Sequence, residues 1–162
     1  MKNRKWGFAV LSAVLMTVLV FATGCSKAEK AVIEAEEQGT MTITRDDGEE
    51  IKFSSKSSIP DLFPSDVPLP DEIQVTSSIS SKDSVTVTIE TEMPYEEVLE
   101  LYYDYSQQAG YSEVHRLEGE NTIHYSSQKG TEHFVFSLQL DEEDHKTVTG
   151  ALVYSISSET EQ

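Results

Sequence analysis

Residues 121–156 read NTIHYSSQKGTEHFVFSLQLDEEDHKTVTGALVYSI, and the way this stretch divides into strands decides the fold. Three β-rich runs, Asn121 to Ser127, Glu132 to Leu140 and Lys146 to Ile156, are separated by short polar segments. Within them large apolar residues alternate with Ser, Thr and His, the period-two pattern of strands with one covered face. A two-residue turn at Lys129-Gly130 pairs Tyr125 with Phe134 and Ile123 with Phe136. A three-residue loop at Glu143-Asp144-His145 then pairs Phe134 with Tyr154 and Phe136 with Leu152, which keeps the whole apolar set on one side. The expectation is an antiparallel meander with one dry face and one face rich in Thr, Ser and His.

Working upstream, Tyr111 to Leu117 is a further strand whose facing the pattern does not decide. Before it, Pro94 starts a helix with Glu96 and Glu97 beside the positive end of its dipole, and Gly110 closes it as the left-handed cap. Its apolar stripe is Tyr95, Val98, Leu99, Tyr102, Tyr105 and Ala109, at spacings of three and four, which suits the underside of a helix lying on a sheet. Val85, Val87 and Ile89 alternate with Thr86, Thr88 and Glu90, and together with Ile73 to Ser80 they read as a hairpin around Ser81-Lys82-Asp83-Ser84. The fold class expected for residues 60–158 is therefore α+β: an antiparallel sheet of about six strands with one long α-helix packed on one face. Residues 159–162 are expected to be a disordered tail.

Ahead of this domain, Pro60, Pro64, Pro68 and Pro70 lie among Leu62, Phe63, Val67 and Leu69 and predict an extended strap anchored by those apolar residues. Residues 40–58 read as a small separate hairpin and a Ser-rich linker. Met41 to Thr44 and Ile51 to Phe53 flank Asp46-Asp47-Gly48, where Asp-Gly supplies the positive φ of a tight turn. Residues 26–39 are polar and rich in Ala and Glu and read as a tether.

The first residues carry a different signal. Lys2, Arg4 and Lys5 precede an uncharged apolar stretch from Trp6 to Ala22, followed by Thr23-Gly24-Cys25. Phe21-Ala22-Thr23-Gly24-Cys25 resembles the lipobox of bacterial lipoproteins, although Ala22 stands where leucine is usual. The resemblance implies removal of residues 1–24, lipid on Cys25, and attachment to a cell-envelope membrane with the domain facing outside the cytoplasm. Cys25 is the chain's single cysteine, and lipidation would cap a thiol otherwise open to oxidation. The strap, taken with the helix ending in Tyr102-Tyr103-Asp104-Tyr105 and Gly110-Tyr111, loosely resembles a group of small uncharacterised bacterial lipoproteins, to which no activity attaches.

Removing the three basic residues of the leader from 12 Lys+Arg leaves 9 against 29 Asp+Glu, a formal charge of 9 − 29 = −20. Such a surface repels phosphate, which excludes nucleic acid as a partner. No cofactor motif and no catalytic constellation is present, so the expectation is a protein that is not an enzyme. The register above puts His124 diagonal to His133 on the polar face, beside Ser126, Val135, Ala151 and Val153, a candidate binding face for an unidentified protein or peptide. Two histidines begin a metal site, but zinc takes three or four ligands, so no metal is assigned there. Alternatives are a structural envelope lipoprotein or a metal-binding domain built on His124 and His133. Asp141-Glu142-Glu143-Asp144 reads as a solvated hairpin tip.

Overall fold

The computed structural model describes residues 32–36, 39–55 and 57–157. The elements are β1 (Val32–Glu36), β2 (Thr40–Thr44), β3 (Glu50–Ser54), β4 (Gln74–Ser80), β5 (Ser84–Thr91), α1 (Tyr95–Gln108), β6 (Ser112–Glu118), β7 (Thr122–Lys129), β8 (Glu132–Leu140) and β9 (Val148–Ile156). All nine strands form one sheet in the order β1-β2-β3-β4-β5-β9-β8-β7-β6, and every neighbouring pair is antiparallel.

This overturns the expected fold class. Over the described residues the protein is β-rich, a nine-stranded antiparallel sheet with one short helix of 14 residues, and not an α+β fold of about six strands under a long helix. The error lies at the N-terminal side. Val32 to Glu36 holds too few apolar residues for a core-facing stripe and reads in the sequence as tether, yet an edge strand needs only backbone pairing, here with β2. The hairpin of β2 and β3, turned by Gly48 at φ 84°, is not separate either, because Lys52–Ser54 pairs with Ser78–Ser80 of β4.

Nor is the strap extended. It folds into successive turns in which Phe63, Val67 and Ile73 donate their backbone N–H to the carbonyls of Pro60, Pro64 and Pro70. Each proline fixes its own φ at the start of a turn, and the residue that closes the turn is buried: Phe63, Val67 and Ile73 all belong to the core. Leu62 and Leu69 pack on the core from the side.

Beneath α1 and the strap lie Val85, Val87 and Ile89 of β5, Ile123 and Tyr125 of β7, Phe134, Phe136 and Leu138 of β8, and Leu152 and Tyr154 of β9. The alternation read in residues 121–156 holds, since these inward residues are buried and their neighbours along each strand are more exposed. Fully burying each large side chain stabilises the fold by about 1.5–3 kcal/mol. Val98, Tyr102 and Ser106 form the buried line of α1, while Tyr95, Leu99, Tyr105 and Ala109 flank it half-buried. The helix ends in two reverse hydrogen bonds, Gly110 N–H to Gln107 carbonyl and Tyr111 N–H to Ser106 carbonyl, with Gly110 at φ 85°. Tyr111 packs back on Tyr105 with the rings tilted, the apolar contact that usually completes such an end.

Candidate functional site

Paired residues in an antiparallel sheet share a face, so the register sorts the side chains of the sheet into cross-strand rows. One row runs Thr40, Ser54, Ser78, Val87, Leu152, Phe136, Tyr125, Arg116. It faces the helix. The adjacent row on the opposite face runs Met41, Phe53, Ile79, Thr86, Val153, Val135, Ser126, His115. The two rows are complementary. Beneath the helix the inner row is apolar, but toward β2 it turns to hydroxyls, and the outer row becomes apolar where the inner one becomes polar. The sheet thus changes its apolar face between β5 and β4.

The predicted binding face exists as a face. Ser126, Val135, Val153, Ala151, His124 and His133 all point away from the helix and are half-buried or exposed. The predicted closeness of the two histidines is wrong, however. His124 lies opposite Ser137 and His133 opposite Gln128, which sets them four positions apart along β8, about 13 Å. The cause is the turn. Gly130 has φ 61° and is the first of two turn residues, Gly130-Thr131, so Lys129 pairs with Glu132 and every β7 partner moves by two. A shift of two preserves facing but changes neighbours. The β8 to β9 register falls as expected, Phe134 with Tyr154 and Phe136 with Leu152.

Each histidine has its own local partner. His124 Nδ1 is 2.8 Å from Ser137 Oγ, and His133 Nε2 is 2.9 Å from Ser157 Oγ. His115, whose facing the pattern left undecided, reaches the same side through a bulge in β6 and brings its ring to 6.5 Å from that of His124. Among the described residues no carboxylate completes this pair. Among the described residues no group of three or more His, Cys, Asp or Glu side chains is placed to hold a metal ion. The metal-binding alternative on His124 and His133 therefore loses its geometric basis.

On the helix side, the Arg116 guanidinium lies over the Tyr103 ring at 5.2 Å and is hydrogen-bonded to Glu118, which raises its pKa further. Burial pushes the Tyr105 and Tyr111 hydroxyls up, and their contacts with Asp66 and Glu132 add to it. These are packing tyrosines. The inner faces of β3 and β4 and the strap enclose an open groove of about 920 Å³, lined by hydroxyls and by charges of both signs, including Ser54, Ser80, Lys52, Lys82 and Asp61.

The acidic run proves to be an ordered loop. Asp141 Oδ1 accepts from the backbone N–H of Glu143 and Asp144, and Asp144 Oδ1 from those of Lys146 and Thr147. These bonds, with the Thr147 hydroxyl foremost, lower the Asp144 pKa to about 2.

Sequence reasoning missed the outer strip of Met41, Ile43, Ile51, Phe53 and Ile79. Its signal was present, since these residues alternate with Thr40, Thr42, Thr44, Glu50, Lys52 and Ser78. A hairpin separate from the main sheet has no defined facing, and only the β3–β4 pairing supplies one. Cys25 and the leader lie outside the described residues, and among those described no helix is long and apolar enough to cross a membrane. Compared with family models, curated proteins and solved structures, the chain matches none.

Proposed function

We propose that the protein is a lipoprotein, anchored to an envelope membrane through lipid on Cys25, and that its domain is a non-catalytic binding or accessory module facing outside the cytoplasm. The anchor rests on the basic start, the apolar stretch and the Phe21-to-Cys25 run. The observation that carries the binding role is the broad outer face of β5, β9, β8 and β7. Helix and strap cover the opposite side, and the outer row Thr86, Val153, Val135 and Ser126 is left half-exposed. A shallow surface mixing hydroxyls with small apolar side chains suits another protein or a peptide laid across it, met by buried area and side-chain hydrogen bonds.

Two measurements test this reading. Replacing Cys25 with Ala is expected to move the protein out of the membrane fraction, and a cleaved variant still extracted only by detergent would refute the anchor. For the face, cross-linking in intact envelopes is compared between the wild-type chain and Val135→Lys. A cross-linked species that disappears in Val135→Lys, while circular dichroism stays unchanged, supports a partner on this face. Identical cross-linking in both rejects it.

A further inference from the structure

We infer that the domain does not hang free from its anchor but lies on the bilayer through the strip Met41, Ile43, Ile51, Phe53 and Ile79, an inference that rests on the lipid anchor proposed at Cys25. The strip is contiguous, since Met41 pairs with Phe53, Phe53 with Ile79, and Ile43 with Ile51. It faces away from the helix. Met41 and Ile79 are 37% and 42% exposed, and the other three are half-buried. The neighbouring charges Glu50 and Lys52 alternate onto the opposite face, leaving the strip itself uncharged on an acidic protein. An apolar patch of this kind marks an interaction surface.

Chain length selects the occupant. The strand β1 begins at Val32, seven residues after Cys25, so whatever path the intervening residues take, it lies within about 25 Å of the anchored residue. The strip occupies β2, β3 and β4, the next three strands of the sheet, at about 4.8 Å per strand. The strip is therefore never more than about 40 Å from the lipid, and a leash this short raises the effective concentration so that a weakly apolar face stays docked. A second copy of the chain is the poorer occupant, because two strongly acidic bodies repel one another. The turn at one end of the strip, with Asp46, Asp47 and the Arg45–Glu49 ion pair, is net acidic and disfavours anionic head groups.

The single cysteine makes a test independent of how the cell treats it. A chain beginning at Cys25, which keeps every described residue, is coupled through that thiol to a maleimide phospholipid in phosphatidylcholine nanodiscs that carry a nitroxide head group. Methyl NMR is then read. The expected result is broadening of Met41, Ile43, Ile51 and Ile79 several-fold beyond that of Leu99 and Leu101 on the helix side, weaker in phosphatidylglycerol discs at low salt. The double variant Met41→Thr, Ile79→Thr should lose this selectivity without other spectral change. Ile79→Ser alone serves as a milder variant should the double one fail to fold. Equal broadening on both sides overturns the inference, and so does concentration-dependent dimerisation through the strip in lipid-free solution. Mass spectrometry of the natural chain from membranes reads lipidation of Cys25 separately. An unlipidated natural chain would thus refute the anchor while leaving the docking result to stand or fall by itself.

Discussion

Tyr102 is the residue on which the packing of α1 turns. It is fully enclosed, its ring lies 6.0 Å from that of Phe136, and its hydroxyl has no hydrogen-bond partner among the described residues. Leaving a buried hydroxyl unpaired costs about 1–3 kcal/mol, so Tyr102→Phe, which removes the hydroxyl and keeps the ring, should stabilise the protein by about 1 kcal/mol. Tyr102→Ala and Phe136→Ala should each destabilise it by about 3–5 kcal/mol, against little effect for the exposed Glu100→Ala. Urea denaturation of the four variants checks this, and loss of stability in Tyr102→Phe would contradict it. Burial raises the Tyr102 pKa in the folded state. Its protonated form is then favoured by folding, so this contribution is complete below pH 10 and is lost as pH rises above it. Tyr102→Phe should flatten the alkaline limb. Asp144 has the opposite sign. With its folded pKa lowered to about 2 from 3.8, it stabilises the β8–β9 loop above its ordinary pKa and ceases to as pH falls toward 2. Asp144→Ala should lose less stability over that acid range than the wild-type chain, as followed by urea midpoints.

Among the elements, α1 was the most legible, because Pro94, Glu96, Glu97 and Gly110 mark its ends and the apolar spacing its inner face. Ser106 was not legible. The apolar stripe leaves it out although it follows Tyr102 by four residues, yet it is buried and donates to Ser127 Oγ at 3.0 Å, and Ser127 donates in turn to the Phe134 carbonyl at 2.9 Å. Small hydroxyls carry no periodic apolar signal, and only the three-dimensional partner identifies them. Ser127→Ala leaves Ser106 without its acceptor inside the core and should cost about 1–3 kcal/mol. The strand register was half legible for a similar reason: parity follows from alternation, whereas the two-residue offset at β7 depended on which turn position Gly130 occupies. Gly150 in β9 is another position that composition leaves silent. A Cβ there would lie 2.7 Å from a Leu138 methyl and 3.1 Å from Ile89 and from the Ser137 carbonyl. Gly150→Val should therefore cost about 1–3 kcal/mol through overpacking, with thermal unfolding as the check.

At the scale of the whole molecule, the sheet is two amphipathic halves joined with opposite facing. Alternation in Met41 to Thr44 and in Val85 to Glu90 is equally clear in the sequence. Their opposite facing arises across the β4–β5 pairing, where Ser78 meets Val87 and Ile79 meets Thr86 beyond an irregularity at Val75–Ser77 that alternation alone does not reveal. The halves also differ in attachment. The strand β3 meets β4 only along Lys52–Ser54, whereas β5 and β9 pair along the whole of Ser84–Thr91. Amide hydrogen exchange should accordingly find β1, β2 and β3 opening well below the global unfolding free energy, and β5, β8 and β9 only at it.

The placement of β9 between β5 and β8 also governs when the chain can fold. The strand that joins β1–β5 to β6–β8 comes last of the nine in the sequence, and until it arrives β5 and β8 both present unpaired backbone edges. Closing Val87 onto Leu152 brings together the widest-spaced core segments of the sheet, a slow non-local step. A polypeptide built this way cannot close its sheet until β9 has been made. A ribosome-released fragment ending at Lys146 should show no cooperative unfolding transition.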